Sequence, residues 1–113
     1  MSADLNQGLM AYLKESPTPF HAVQNLCKQL DAGGYQCLDE TKAWSISAGG
    51  RYYVVRNDSS LIAFRLAGRT LAEKGVRMIG AHTDSPCLKV RMGPELTRSG
   101  YRQWGVEVYG GVL

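Results

Sequence analysis

The sequence predicts an α/β protein in which two helices precede a β-hairpin and further strands. Apolar residues recur at helical spacing in the first third of the chain, and runs of β-branched and aromatic residues between turn formers fill most of the remainder. The length of 113 residues fits one ordinary domain. With 44% hydrophobic and 20% charged residues, the composition is that of a soluble globular protein and excludes the disordered and fibrous classes.

Two helices are predicted from apolar periodicity and from their termini. The first runs to about Lys14, and the following "SPTPF" interrupts it because prolines remove backbone donors and restrict the residues before them. The second has Thr18 as its N-cap and Pro19 at its first helical position, and the glycine pair at 33–34 ends it. Its apolar side chains share one face: Phe20, Val23, Leu26, Cys27 and Leu30.

The strands are predicted in the second half of the chain. "RYYVVR" (51–56) and "SLIAFRLA" (60–67) flank "NDS", which predicts a β-hairpin. "GVRMIGAH" (75–82) is predicted to be a third strand, and its apolar run indicates burial on both faces. "CLKVRM" (87–92) and "GVEVYGG" (105–111) are predicted to be two more.

Charge and cysteine content narrow the function classes. Basic residues outnumber acidic ones in the second half of a chain whose net charge is +3, but they are spread singly, which favours solvated strand faces over a nucleic-acid surface. The N-terminus shows no basic leader and no long apolar stretch, so we expect a cytoplasmic protein without membrane or nucleic-acid partners. Cys27, Cys37 and Cys87 form no CxxC pair and are predicted to be reduced thiols.

The motif with the clearest chemistry is His82-Thr83-Asp84, at the end of the predicted third strand. Residues i and i+2 of an extended segment point to the same side, so the imidazole of His82 and the carboxylate of Asp84 can project together. A metal-bound histidine normally passes its other ring N–H to a carboxylate or carbonyl, and this spacing suits such a pair. Taken alone, however, a single His-x-Asp also fits a histidine that is merely hydrogen-bonded.

Three segments, in order along the chain, resemble the aspartyl aminopeptidase family of zinc metallopeptidases: "SPTPFHAV", "GAHTDSPCLKV" and "WGVEVYGG". The resemblance implies that His82 is a ligand of one of two co-catalytic zinc ions and that Asp84 is a catalytic residue that supports the metal centre. It also implies removal of N-terminal, preferentially acidic, residues from peptides by metal-activated water, with a glutamate as general base.

The same resemblance implies an architecture and an assembly. Residues 1–87 would be the N-terminal part of the catalytic domain, and residues 88–113 would be the start of an inserted dimerisation domain. Intact enzymes of this kind assemble as homo-oligomers, usually dodecamers. The ending "EVYGGVL" carries no capping or polar tail composition, so we expect a truncated chain whose remaining metal ligands and general base follow Leu113.

The incomplete ligand set leads to two expectations. A catalytic zinc ion needs about three protein ligands, so the 113-residue chain alone is expected to be inactive and to bind zinc weakly or not at all. The alternative is a non-catalytic oligomerisation or interaction module in which His82 is only structural. Two other candidates favour structural interpretations: His21 as a neutral, hydrogen-bonded residue in the first turn of a helix, and Cys87 as a free thiol.

Overall fold

The structure, a computed structural model, describes residues 2–67 and 75–111. It contains two helices and five strands over these residues: α1 (Ser2–Glu15), α2 (Pro19–Ala32), β1 (Gln36–Cys37), β2 (Arg51–Arg56), β3 (Ser60–Arg65), β4 (Cys87–Arg98) and β5 (Tyr101–Tyr109). The chain divides into two compact units, an N-terminal unit (Met1–Thr83) and a C-terminal unit (Asp84–Leu113). The predicted order of two helices, a hairpin and further strands is confirmed.

The two helices end where the sequence signals predict. Thr18 caps α2 in an extended conformation, with its Oγ1 accepting a hydrogen bond from the backbone N–H of His21 at 3.4 Å. The N–H of Gly33 donates to the carbonyl of Gln29 at 2.9 Å and closes the last turn. Within the described residues, neither helix is long and apolar enough to cross a membrane.

A three-stranded sheet in the order β1-β2-β3 forms the centre of the N-terminal unit. β1 runs parallel to β2, and β2 pairs antiparallel with β3. The connecting turn uses Asn57 and Asp58 at φ 50° and 51°, a left-handed conformation that short polar side chains tolerate. This turn confirms the predicted hairpin, whereas β1 is too short to have been predicted from its sequence.

Strand β2 carries the core because both of its faces are covered. Tyr52 and Val54 are buried on one face with Leu38, and the Phe64 ring lies 5.6 Å from that of Tyr52. A Cβ on Gly50 would collide with the Tyr52 ring, so glycine is required at this close approach. The alternate residues of β2 face α2, where Ala22 and Val23 are also buried.

The predicted third strand is wrong. Residues 75–82 form no strand, and Met78 and Ile79 are 87% and 99% exposed. A strand exists only as part of a hydrogen-bonded ladder, and no described residue pairs with this segment. The segment is apolar, but within the described part of the chain no strand or helix covers Met78 and Ile79.

The C-terminal unit is one long hairpin of β4 and β5. Its turn, Ser99-Gly100, has φ values of 51° and 78°, the positive values that favour a tight two-residue hairpin turn. The register slips between Val90 and Glu95, so that residues 91–94 bulge out of the ladder. The sequence predicted the two strands, but as shorter segments and without this pairing.

Candidate metal centre

Thr83, the central residue of the motif, is hydrogen-bonded within the N-terminal unit. Thr83 Oγ1 donates a hydrogen bond to the carbonyl oxygen of Ser59 at 2.8 Å, which ties the end of the N-terminal unit to the turn between β2 and β3. His82 is exposed, and Thr83 and Asp84 are half-buried. In the sequence, the boundary between the two compact units falls between Thr83 and Asp84.

Asp84 opens the C-terminal unit and contacts the end of β5. Its Oδ2 accepts a hydrogen bond from the Tyr109 hydroxyl, with an oxygen–oxygen distance of 3.4 Å. Tyr109 is the last residue of β5 and lies directly opposite Cys87, the first residue of β4. The hairpin therefore brings Tyr109 back to Asp84, the first residue of the unit and 25 positions earlier in the chain.

Glycine at position 110 makes this return possible. Gly110 has φ +88°, and a Cβ there would lie 3.1 Å from the Cα of Pro86. Any larger residue would be both strained and crowded against Pro86. The chain end of β5 is thereby held against the segment that follows Asp84.

The donor chemistry of the motif fits part of a zinc site. A neutral imidazole and a carboxylate are both zinc ligand types, and a carboxylate also serves to orient a ligating histidine. Across residues 2–67 and 75–111, no group of three His, Cys, Asp or Glu side chains could hold a metal ion. His82 is thus suited to a ligand set and Asp84 to supporting it, and the residues that the structure describes do not complete that set.

The other sequence candidates lie in structural surroundings. His21 Nδ1 is 2.7 Å from Thr18 Oγ1 in the cap of α2, in agreement with its interpretation as a hydrogen-bonded residue. Cys27, Cys37 and Cys87 are all free thiols. Cys87 is exposed at the start of β4.

A cavity of about 530 Å³ lies between α2 and the sheet of the N-terminal unit. Cys27, Cys37 and Tyr53 line it, and the Tyr53 hydroxyl donates to Asp31 Oδ1 at 2.8 Å. Burial raises the pKa of the Cys27 thiol, and burial together with the Asp31 hydrogen bond raises that of Tyr53. Both groups stay protonated at neutral pH, so neither serves as an anionic nucleophile there.

Two long-range hydrogen bonds, one in each compact unit, have no signal in the sequence. The Tyr53–Asp31 hydrogen bond joins residues 22 positions apart, and the Tyr109–Asp84 contact joins residues 25 positions apart. Tyr109 lies in "WGVEVYGG", one of the segments that carry the family resemblance, but its spacing from Asp84 contains no signal of their contact.

Comparisons with known proteins agree with the motif-based resemblance. A family model described as aminopeptidase I zinc metalloprotease (M18) matches residues 12–113. A probable M18 family aminopeptidase 2 of Stutzerimonas stutzeri is 62% identical over the whole chain, which covers 26% of that relative. One of Pseudomonas syringae is 56% identical over the same share. The chain thus spans about a quarter of the length of the curated relatives it matches.

Solved structures show the same fold. Yeast aminopeptidase 1 (Ape1) superposes with a TM-score of 0.81 and 35% identity, over 97% of this chain and 26% of that one. Ape4 in its complex with Nbr1 gives a TM-score of 0.82 and 40% identity, over 93% of this chain and 20% of that one. The mApe1 dodecamer of S. cerevisiae gives 0.80 and 35%, over 97% and 26%. The chain therefore belongs to the aminopeptidase I zinc metalloprotease family (M18).

Proposed function

We propose that this chain is the N-terminal portion of a zinc aminopeptidase that removes N-terminal, preferentially acidic, residues from peptides. The observation that carries the proposal is the match of residues 12–113 to a zinc metalloprotease family, in a chain that spans a quarter of its relatives. The His82-Thr83-Asp84 motif lies inside the matched range and has the donor types that zinc requires.

Within this proposal the two motif residues have different roles. His82 offers an imidazole nitrogen as a metal ligand, and Asp84 is the catalytic carboxylate that supports the centre. Zinc, when bound as two co-catalytic ions, lowers the pKa of a water molecule and polarises the scissile carbonyl. Thr83, anchored on Ser59, holds the backbone between the two side chains. Further ligands and the general base would lie beyond Leu113, and the 113-residue chain alone would be inactive.

We also propose the domain boundary and the assembly that the resemblance implies. Residues 1–87 would form part of the catalytic domain, and 88–113 would begin the inserted dimerisation domain. The division of the chain into compact units at Thr83/Asp84 supports a boundary in this region. The likeness to the mApe1 dodecamer supports a homo-oligomer, with a dodecamer as the specific proposal. A peptide is the proposed substrate, and the cytoplasm is the proposed location.

Reading the gene beyond the codon for Leu113 tests the first part of the proposal. An open frame that encodes further His, Asp and Glu ligands is expected, and the intact mass of the native protein should exceed 12.4 kDa. A stop codon directly after Leu113, with a native mass equal to that of this chain, would contradict the proposal. It would leave the non-catalytic interaction module, in which His82 is structural.

Replacing the ligand tests the second part. In the longer protein, His82→Ala should lower the bound zinc content and reduce kcat/KM on aspartyl and glutamyl peptide substrates at least about 100-fold, since a catalytic zinc ion depends on about three protein ligands. His21→Ala is the matched control, because it removes the other histidine from a helix cap. Metal analysis and steady-state kinetics measure both effects. Unchanged zinc content and activity in His82→Ala would contradict the assignment.

A further inference from the structure

We infer that Tyr109 is a positioning residue for the catalytic carboxylate, with its hydroxyl holding Asp84 in one orientation. The inference rests on the proposed function of Asp84. It is carried by the Tyr109 Oη to Asp84 Oδ2 contact of 3.4 Å, together with the features that fix the Tyr109 ring. Nothing in the motif itself assigns a role to this tyrosine.

The hairpin fixes the backbone of Tyr109. Cys87 and Tyr109 are directly opposite in the ladder, as are Lys89 and Glu107, so these four side chains share one face. At the strand end there is no room for a side chain on Gly110, since a Cβ there would lie 3.1 Å from the Cα of Pro86. The position of Tyr109 relative to Asp84 is therefore set by strand register.

A lysine fixes the ring itself. Lys89 Nζ lies 5.3 Å from the centroid of the Tyr109 ring, within the range of a cation–π interaction. The ring is 41% exposed, so it is partly shielded without being part of a core. Contacts from Lys89 to the ring face and from Asp84 to the hydroxyl restrain the side chain at both places.

The hydroxyl gives the carboxylate a defined orientation. When ionised, a carboxylate is only an acceptor, and the Tyr109 donor on Oδ2 restricts the rotation of the Asp84 carboxylate. The distance is longer than the usual O–H···O range of about 2.5–3.0 Å. Hydrogen bonds of catalytic groups are often long before the substrate complex forms, so we expect this one to shorten in the loaded enzyme.

Removing only the hydroxyl separates positioning from hairpin stability. In the zinc-loaded longer protein, Tyr109→Phe keeps the ring and its contact with Lys89 but lacks the donor. We expect kcat to fall about 10-fold with KM within about twofold, and the zinc dissociation constant to rise about 10-fold, as for other partners of metal-site residues. The thermal midpoint should stay within about 1 °C, because Tyr109 is exposed and the loss of its hydroxyl leaves the packing of the ring intact.

Tyr101→Phe is the matched control. Tyr101 lies in the same strand, opposite Arg98, and is 71% exposed. Removing its hydroxyl should leave kcat, KM and zinc affinity unchanged. A loss of activity in Tyr109→Phe that is accompanied by an equal loss in Tyr101→Phe would overturn the inference.

A double-mutant cycle with Asp84→Ala, which removes the acceptor, tests whether Tyr109 acts through Asp84. If it does, Tyr109→Phe should have less than about a twofold further effect on kcat and zinc affinity in the Asp84→Ala background. Independent, multiplicative effects would overturn the inference. Unchanged kinetics and zinc affinity in Asp84→Ala alone would contradict the proposed function instead. A strong effect of Asp84→Ala with none of Tyr109→Phe would refute only the role of Tyr109.

Discussion

The two compact units of this chain both contain hydrogen-bonded strands, but they differ in how deeply their side chains are buried. The N-terminal unit places a three-stranded sheet between α2 and the loop that carries Trp44, and its central strand β2 is covered on both faces. The C-terminal unit has a longer ladder, with strands of 12 and 9 residues. Yet among its described residues, 84–111, no side chain is buried. Length of pairing and depth of burial are thus independent properties.

The difference shows which interactions carry stability. Alternation places five apolar side chains of the C-terminal unit on one face, which we name the hairpin apolar face, and they are between 40% and 73% exposed: Leu88, Val90, Trp104, Val106 and Val108. Hydrogen bonds along a ladder largely replace bonds to water, so their net contribution is small, whereas buried apolar area contributes in proportion to its extent. An isolated two-stranded hairpin is marginal for this reason.

Replacing one tyrosine of each unit with alanine should give the largest difference in the free energy of unfolding. Tyr52 is 5% exposed, packs on Phe64, and accepts a hydrogen bond from the Ser47 N–H at 2.9 Å. Tyr52→Ala should lower the free energy of unfolding by about 3–5 kcal/mol, since it removes a buried aromatic side chain and leaves a cavity. Urea unfolding of the 113-residue chain, followed by far-ultraviolet circular dichroism, measures the change.

The partner variant is Tyr101→Ala in β5, where the side chain is 71% exposed. It should change the free energy of unfolding by no more than about 0.5 kcal/mol. Comparable losses from the two substitutions would break the comparison, because they would mean that the hairpin contributes a core equivalent to that of the N-terminal unit.

The sequence predicted best the features that depend on neighbouring residues. Thr18, Pro19 and the following glycine pair define α2 through local capping chemistry, and the structure places its ends there. Likewise, "NDS" predicts the β2–β3 turn because Asn and Asp adopt left-handed angles readily. Such signals act over three to five residues and need no knowledge of the rest of the fold.

The prediction failed where burial depends on distant neighbours. Residues 75–82 have the apolar run of a buried strand, yet Met78 and Ile79 are almost fully exposed. A hydrophobic pattern indicates that a segment favours burial. Whether the segment is buried depends on contacts with residues that are distant in the sequence. The pattern alone cannot show whether those contacts are present.

The candidate site likewise has a part that was predicted from neighbouring residues and a part that depends on distant ones. His82 and Asp84 stand two positions apart and were identified from their motif, whereas Tyr109 reaches Asp84 only through the hairpin. That contact depends on the Ser99-Gly100 turn and on the bulge at 91–94, which together set the register of β5 against β4. A shift of one residue would turn Tyr109 to the opposite face. The motif alone therefore cannot predict the contact, because the contact depends on the register between β4 and β5.

Replacing one side-chain amide of each unit with alanine should give a smaller difference in the free energy of unfolding than the tyrosine pair does. Asn25 is 9% exposed and donates to the Glu15 carbonyl at 3.0 Å and to Ser16 Oγ at 3.2 Å, where α1 ends and the connection to α2 begins. Asn25→Ala should lower the free energy of unfolding by about 1–3 kcal/mol, because it leaves shielded polar groups without this donor. Denaturant titration measures the loss.

Gln103→Ala is the counterpart in β5, where the side chain is exposed. Its expected effect is within about 0.5 kcal/mol. If Asn25→Ala and Gln103→Ala lowered the free energy of unfolding equally, the Asn25 hydrogen bonds between α2 and the end of α1 would contribute no more than an exposed amide.

The smallest effect concerns an exposed carboxylate of the N-terminal unit. Asp39 Oδ1 accepts hydrogen bonds from Thr41 Oγ1 at 2.7 Å and from the Thr41 N–H at 2.9 Å, and Lys42 Nζ lies 3.1 Å from Oδ2. The Thr41 side chain, followed by its backbone N–H and by Lys42, lowers the pKa of Asp39 from 3.8 to about 2. A carboxylate titration by nuclear magnetic resonance measures this value directly.

Because the pKa of Asp39 is lower in the folded state than in the unfolded state, the ionised carboxylate favours folding above pH 3.8. That contribution is lost as the pH falls from 3.8 through about 2. Thr41→Val removes the strongest donor and keeps the backbone N–H, so the pKa of Asp39 should rise part of the way towards 3.8. Thr97→Val, the same change in β4 of the C-terminal unit, should leave it unchanged. A Thr41→Val protein whose Asp39 still titrates near pH 2 would show that the local turn backbone and Lys42, rather than the threonine hydroxyl, set the acidity of this carboxylate.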